Sequence, residues 1–370
     1  DANGAITFSI AFTDAAGNVG TAVTSTSDST SVTIDNTHPT LDPVSIVTNG
    51  NGDASNADTV SLTFTASEAL LADPTCTISD SGAAMANAVS VSNNGLAYTC
   101  AVVVADDDAN GAITFSIAFT DAAGNAGTAV TSTSDSTSVT IDNTHPSLDP
   151  VSIATNGDGD ASNADTVSLT FTASEALLAD PTCTISDSGA AMANAVSVSN
   201  NGLAYTCAVV VADDDANGAI TFSIAFTDAA GNAGTAVTST SDSTSVTIDN
   251  THPAMTSVTA TDDAYGVGET LTISVLYDSV VVVTGTPSLT LSNSATATYS
   301  SGSASNTLVF AYVVAEGDSD STDLSVSSIT GTVNDEAGNA AGAVSADLGA
   351  VTVDGDAPDY LTSTATDGDY

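Results

Sequence analysis

The 370-residue chain has no lysine and no arginine, against 45 acidic residues. A soluble domain is about 25% charged with the signs mixed, so an absence this complete is itself informative. It excludes a surface built to neutralise phosphates, and nucleic-acid binding with it. It excludes Schiff-base lysines, P-loops and arginine clamps. Every Lys/Arg salt bridge is removed as well, so the formal net charge of −45 is balanced by water, small cations or bound metal. Tryptophan is also absent, and aromatics make up 5% of the residues. That argues against a glycan-binding module, which needs an exposed stacking platform. No apolar run approaches about 18 residues, so the sequence holds no membrane span, and its start carries no signal-peptide pattern. Four cysteines are too few for a disulfide scaffold.

Glutamate is scarce among the acids: only Glu68, Glu175, Glu269, Glu316 and Glu336 occur. Aspartate, which makes up the rest, favours turns and calcium loops over helices. The chain is nevertheless 42% hydrophobic, which is enough for packed cores, so it is no disordered acidic tail.

What the chain does contain is repetition. Asp1-Ala2-Asn3-Gly4-Ala5-Ile6-Thr7-Phe8 returns at Asp108 and Asp215, and Thr-His-Pro returns around His38, His145 and His252. Residues 38–144 and 145–251 differ only at Thr40/Ser147, Val47/Ala154 and Asn51/Asp158. The reading is a C-terminal part of a module at 1–37, modules at 38–144 and 145–251, a divergent module at 252–357, and the first strand of another at 358–370. Such ends suggest a window on a longer array.

Within a module, apolar residues alternate with polar ones. Val60, Leu62 and Phe64 share a face, as do Leu96, Tyr98, Cys100, Val102 and Val104, and Ile113, Phe115, Ile117 and Phe119. This is the period of half-buried strands. It places them near 41–48, 59–66, 74–80, 86–92, 96–104, 111–120 and 128–142. Seven short strands in about 107 residues predict an Ig-like β-sandwich. The expected fold is all-β, with tandem sandwich modules arranged end to end as a rod. Cys76 and Cys100 lie on apolar faces and repeat as Cys183 and Cys207, so repeat symmetry favours disulfides Cys76–Cys100 and Cys183–Cys207; two buried free thiols per module is the other reading.

Thr120-Asp121-Ala122-Ala123-Gly124-Asn125, followed by Val139-Thr140-Ile141-Asp142-Asn143-Thr144-His145-Pro146, resembles bacterial Ig-like repeats of giant surface adhesins. Those read D-x-A-G-N, then V-x-x-D-x-T-A-P at the module boundary. Tyr265-Gly266-Val267-Gly268-Glu269, Thr284-Gly285-Thr286-Pro287 and Tyr312-Val313-Val314-Ala315-Glu316-Gly317-Asp318 resemble the related cadherin-like repeats. His stands where the family has Ala before Pro. The resemblance implies extracellular modules in stalks and fibres, often binding calcium.

Sandwich topology independently predicts where carboxylates converge. At the junction near 144, the trailing pole of one module supplies Asn51, Asp53, Asp58, Asp106, Asp107 and Asp108. The linker adds Asp142 and Asn143, and the next module brings Glu175, Asp180, Asp228 and Asn232. The repeat extends this set to Asp35, Glu68 and Asp121 before it, and to Asp213, Asp214, Asp215, Asp249, Asn250 and Asp335 after it. Close carboxylates repel, and Ca²⁺ accepts 6–8 oxygens of this kind. Asn156-x-Asp158-x-Asp160 and Asp318-x-Asp320-x-x-Asp323 also have calcium-loop spacing, without the Gly and Glu of an EF-hand. The competing reading of all these residues is turn formation and solubilising charge.

The three histidines, one per junction, read as incidental linker residues; a pH-sensitive junction is the sharper reading. Asp80-Ser81-Gly82 and Asp187-Ser188-Gly189 match the aspartic-protease triplet in form. Carboxylates about one sandwich apart cannot share a proton, so no enzyme is expected. The function expected is a structural, calcium-stiffened segment of an extracellular bacterial surface fibre or adhesin stalk, partnered by other copies of the repeat and an unknown tip ligand. The alternative is a subunit of a self-assembling filament held by β-strand complementation.

Overall fold

The computed structural model describes residues 1–157 and 159–358. Asp158 of the spaced Asn156–Asp160 motif, and 359–370 of the expected following strand, lie outside these. Among the described residues every regular element is a strand, and no helix is long and apolar enough to cross a membrane. The chain divides into two compact units. The first is Asp1–Ser147 with Glu175–Asp180 and Phe226–Thr235, and the second is the remainder.

In the first unit, Leu41–Thr48, Thr59–Ala66, Ala97–Val103 and Ser90–Asn94 form one antiparallel sheet in that order. Thr75–Asp80 pairs with Thr114–Ala118 in a second sheet, extended by Ala83–Ala84. Ile117 bridges Val130 in the last segment of the module. Numbered along the chain, with the short Ala83–Ala84 piece set aside, the strands lie 1-2-5-4 against 3-6-7, the order of a seven-stranded Ig-like sandwich.

The alternation of apolar residues supplies the inner faces. Val60, Leu62 and Phe64 are buried from one strand, Tyr98, Cys100 and Val102 from its neighbour, and Ile78 and Ile117 from the opposite sheet. The Phe64 and Tyr98 rings stack at 5.7 Å. Each fully buried Ile, Leu or Phe stabilises the fold by about 1.5–3 kcal/mol. The Cys76–Cys100 disulfide joins the two sheets with Cα atoms 6.4 Å apart. In the second unit, 148–225 repeats both sheets and the bridge Cys183–Cys207.

The last segment of the module does not form the continuous strand that 128–142 predicts. Only Thr140–Ile141 is laddered, against Gly111–Ala112. Side chains take over the pairing elsewhere: Val44 N–H donates to Ser134 Oγ at 2.9 Å, and Ile46 N–H donates to Thr137 Oγ1 at 2.9 Å. Asp135 holds Thr137 in a local turn. Hydroxyls and carboxylates compete here with the backbone ladder.

The divergent module, also in the second unit, builds its sandwich around the 22-residue strand Thr270–Leu291. Its first part pairs with Met255–Ala260 and Ser305–Val313. After a register shift between Leu276 and Val281, its second part pairs with Ser325–Asn334. One bent strand thus serves both sheets. Packing is conserved by compensation within the chain. A Cβ on Gly127 would collide with the Phe119 ring. At the matching place, where Ala341 N–H donates to Val333 as Gly127 does to Phe119, the smaller Val333 leaves room for alanine.

Candidate functional site: the module junctions

The D-x-A-G-N segment closes on its own aspartate. Asp121 Oδ1 accepts from the N–H groups of Ala123 (2.9 Å) and Asn125 (2.8 Å), and Oδ2 accepts from the Asn125 amide at 2.8 Å. Gly124 supplies the φ of +96° that the turn requires. The second hydrogen of the Asn125 amide reaches across the junction to the Asp35 carbonyl at 3.1 Å. The same latch recurs from Asn232 to the Asp142 carbonyl (2.8 Å) and from Asn339 to the Asp249 carbonyl (2.7 Å).

A histidine contact crosses all three boundaries, and a serine contact crosses the second and third. His38, His145 and His252 place Nδ1 2.8, 2.9 and 2.9 Å from the carbonyls of Ala126, Ala233 and Ala340. A carbonyl only accepts, so Nδ1 carries the proton; the linker histidines are joints. Ser55 and Ser162, each 7% exposed, donate Oγ–H to Ala230 O (2.9 Å) and Ala337 O (2.6 Å). Neither role shows in a sequence, because the acceptor is main chain about 90 or 175 residues away.

Carboxylates gather beside these latches. Asp35, Glu68 and Asp121 each bring an oxygen within 4.8 Å of the others, and so do Asp142, Glu175 and Asp228. At the third junction Asp249 and Asp335 instead line a cavity of about 630 Å³ with Asp160, Asp278 and Glu336. A third close group, Asp320, Asp354 and Asp356, is exposed. It takes Asp320 from the spaced Asp318–Asp323 motif, while Asp318 turns to the Tyr312 hydroxyl at 2.7 Å and the Ala315 N–H.

The other expected ligands lie elsewhere. Asp53, Asp106, Asp107, Asp180, Asp213 and Asp214 are exposed and outside the close groups. Asp58 accepts from Ser55 N–H and Oγ–H. Asp108 and Asp215 are buried, and each ties its own loop to the Ala86 or Ala193 N–H of an earlier segment. Asn143 and Asn250 donate their amides to loop carbonyls, Ala105 and Asp108 for the first, Ala212 and Asp215 for the second.

Electrostatics within the first group run in opposite directions. Burial pushes the Glu68 carboxyl up, reinforced by Asp35 and then Asp121. For Asp121 burial also pushes up, but the Asn125 amide and the N–H groups of Asn125, Ala123 and Gly124 together hold it below the ordinary aspartate value. Asp121 therefore favours the folded state above the ordinary aspartate value and loses that effect as pH falls through its lowered one. Glu68 has the contrary sign: the folded chain holds its proton more tightly, so stability declines as pH rises through the glutamate range. In chelator at pH 7, Glu68→Gln raises the melting temperature, and the gain vanishes below about pH 4. If Asp35, Glu68 and Asp121 hold Ca²⁺, the same substitution lowers it in millimolar Ca²⁺. Melting curves in both buffers check this, and an equal shift in the two would remove Glu68 from any cation site.

No family model and no curated relative matches the chain. Among solved structures it is similar to the titin I-band fragment I67–I69, at 9% identity over 86% of this chain and 100% of that one, with a TM-score of 0.39. A tetra-tandem repeat in the extending region of a large adhesion protein is 21% identical over 94% and 82%, with a TM-score of 0.31. A marsupial T cell receptor is 13% identical over 78% and 96%, with a TM-score of 0.31. The fold assignment rests on the strand order of the chain itself.

Proposed function

We propose that the chain is a structural segment of an extracellular bacterial surface fibre or adhesin stalk, and that Ca²⁺ stiffens its junctions. The observation that carries this reading is the pair of carboxylate triads, Asp35/Glu68/Asp121 and Asp142/Glu175/Asp228, in a chain with no basic side chain except three histidines. All the donors are oxygens, the set that Ca²⁺ prefers. When bound, the ion offsets the repulsion among the three carboxylates. The protein's part is to hold them together: the Asp228 turn is fixed by Asn232, and Asn232 in turn grips the linker. The disulfides favour an oxidising compartment. Near-identical modules favour a role that copies share, such as reach.

The test is thermal unfolding and small-angle scattering of the 370-residue chain in millimolar Ca²⁺ and in chelator. At ten times the dissociation constant each site adds about 1.4 kcal/mol. The expected result is a higher melting temperature with a larger radius of gyration in Ca²⁺. No change in either would leave the triads as solvated turn residues.

A further inference from the structure

Six aspartates are buried among the described residues, and only Asp80 and Asp187 leave an oxygen without a hydrogen-bond partner. Asp80 is 5% exposed and closes the strand Thr75–Asp80. Its Oδ2 accepts from the Ala109 N–H, while Oδ1 is buried and meets no donor. The residue before Ala109 is Asp108, also 5% exposed, which accepts from Ala86 N–H through Oδ1 and Ala105 N–H through Oδ2. Ser81 Oγ–H donates to the Asn110 carbonyl and ties the strand end to the same loop. Two buried carboxylates thus meet the same loop, Asp80 from outside it and Asp108 from within it. Asp187 and Asp215 repeat the arrangement around Ala216.

Burying a charge without a partner is costly, and this chain has no lysine or arginine to supply one. The divergent module meets the corresponding carboxylate with a side-chain donor. Its Asp318 corresponds to Asp108, since Ala315 N–H donates to it as Ala105 N–H does to Asp108. There the Tyr312 hydroxyl donates to Asp318 Oδ2, and the Asn293 amide reaches both that hydroxyl (3.2 Å) and the Ser319 carbonyl (3.3 Å). Burial, and then the bond to Asp318, pushes the phenol up to about 12, so it stays a donor. The residue in Tyr312's place in the first module is Val102, which has nothing to donate.

We propose that Asp80 with Asp108, and Asp187 with Asp215, each hold a Ca²⁺ ion inside their module, at the place where the divergent module uses a tyrosine hydroxyl. The ion would serve the orphan Oδ1 and balance the two carboxylates, with main-chain oxygens of the loop as further ligands of the kind Ca²⁺ accepts. This site does not depend on the junction reading, because neither junction triad contains Asp80, Asp108, Asp187 or Asp215.

The test is the calcium content of the 370-residue chain after equilibrium dialysis against Ca²⁺. The double variant D80N/D187N is expected to bind two fewer ions per chain than wild type, and D108N/D215N likewise. The variant E68Q/E175Q separates the two readings, because it removes junction ions and leaves these in place. An unchanged calcium content in D80N/D187N, with a melting temperature in Ca²⁺ equal to or above that of wild type, would overturn the proposal and leave the oxygen to water or a proton. If the asparagine variants do not fold, wild-type crystals grown with Mn²⁺ decide: anomalous peaks beside Asp80 Oδ1 and Asp187 Oδ1 support the site, and their absence there refutes it.

Discussion

Reducing agent lowers the unfolding midpoints of the two near-identical modules and leaves the divergent one where it was. Cys76–Cys100 and Cys183–Cys207 each span 24 residues. Closing a loop of that length removes unfolded-state entropy worth about 3 kcal/mol at 25 °C. With a urea dependence of about 2 kcal/mol per molar, each module shifts by roughly 1.5 M. The divergent module has no cysteine, and its core (Leu271, Ile273, Leu308, Phe310) is fully buried without one. It is therefore an internal control in the same molecule. Urea unfolding followed by hydrogen exchange, with and without reductant, resolves the modules. A uniform loss across all three, or a loss below about 1 kcal/mol in the first two, would show that the bridges stabilise little.

Asp228→Ala destabilises its turn by about 3 kcal/mol, on the basis of about 1 kcal/mol for each donor left unmet. Asp228 is 1% exposed and accepts from Gly231 N–H (2.8 Å), Asn232 N–H (2.8 Å) and the Asn232 amide (2.9 Å). Its loss frees Asn232, so the 2.8 Å bond to the Asp142 carbonyl weakens with it. Amide exchange at Gly231 and Asn232 speeds up, and under the proposed calcium role the junction no longer responds to Ca²⁺. Asp228→Asn keeps an acceptor for the two N–H groups but turns its own amide toward that of Asn232, and costs about half as much. A change within 0.5 kcal/mol for the alanine variant would mean that the turn holds itself.

The sheets were legible in the sequence because alternation is local. Val60, Leu62 and Phe64 on one strand, and Tyr98, Cys100 and Val102 on the next, announce their faces without any knowledge of the partner strand. The broken last segment was less legible, because Ser134 and Thr137 act as surrogate ladder partners through side chains, and composition alone reads them as strand. At the junctions, topology named Asp142, Glu175 and Asp228 among many acids. It could not separate them from Asp106, Asp107 and Asp180, because loop length does not say which way a carboxylate turns. Ser55 and the latch role of Asn125, Asn232 and Asn339 left no signal beyond the D-x-A-G-N spelling, which a plain turn would also explain. Asp80 was conspicuous for a different reason: the protease-like triplet marks a tight turn that buries its aspartate.

The latches grip main-chain carbonyls, of Asp35, Asp142 and Asp249, and never a side chain of the neighbouring module. A carbonyl is present whatever residue bears it, so this bond, unlike the carboxylate triads, places almost no demand on the sequence of what it joins. The boundary between the second module and the divergent one uses the same bond as the boundary between two near-copies. Modules can therefore be gained, lost or exchanged by recombination without refitting their neighbours, and copy number can drift while each joint still closes.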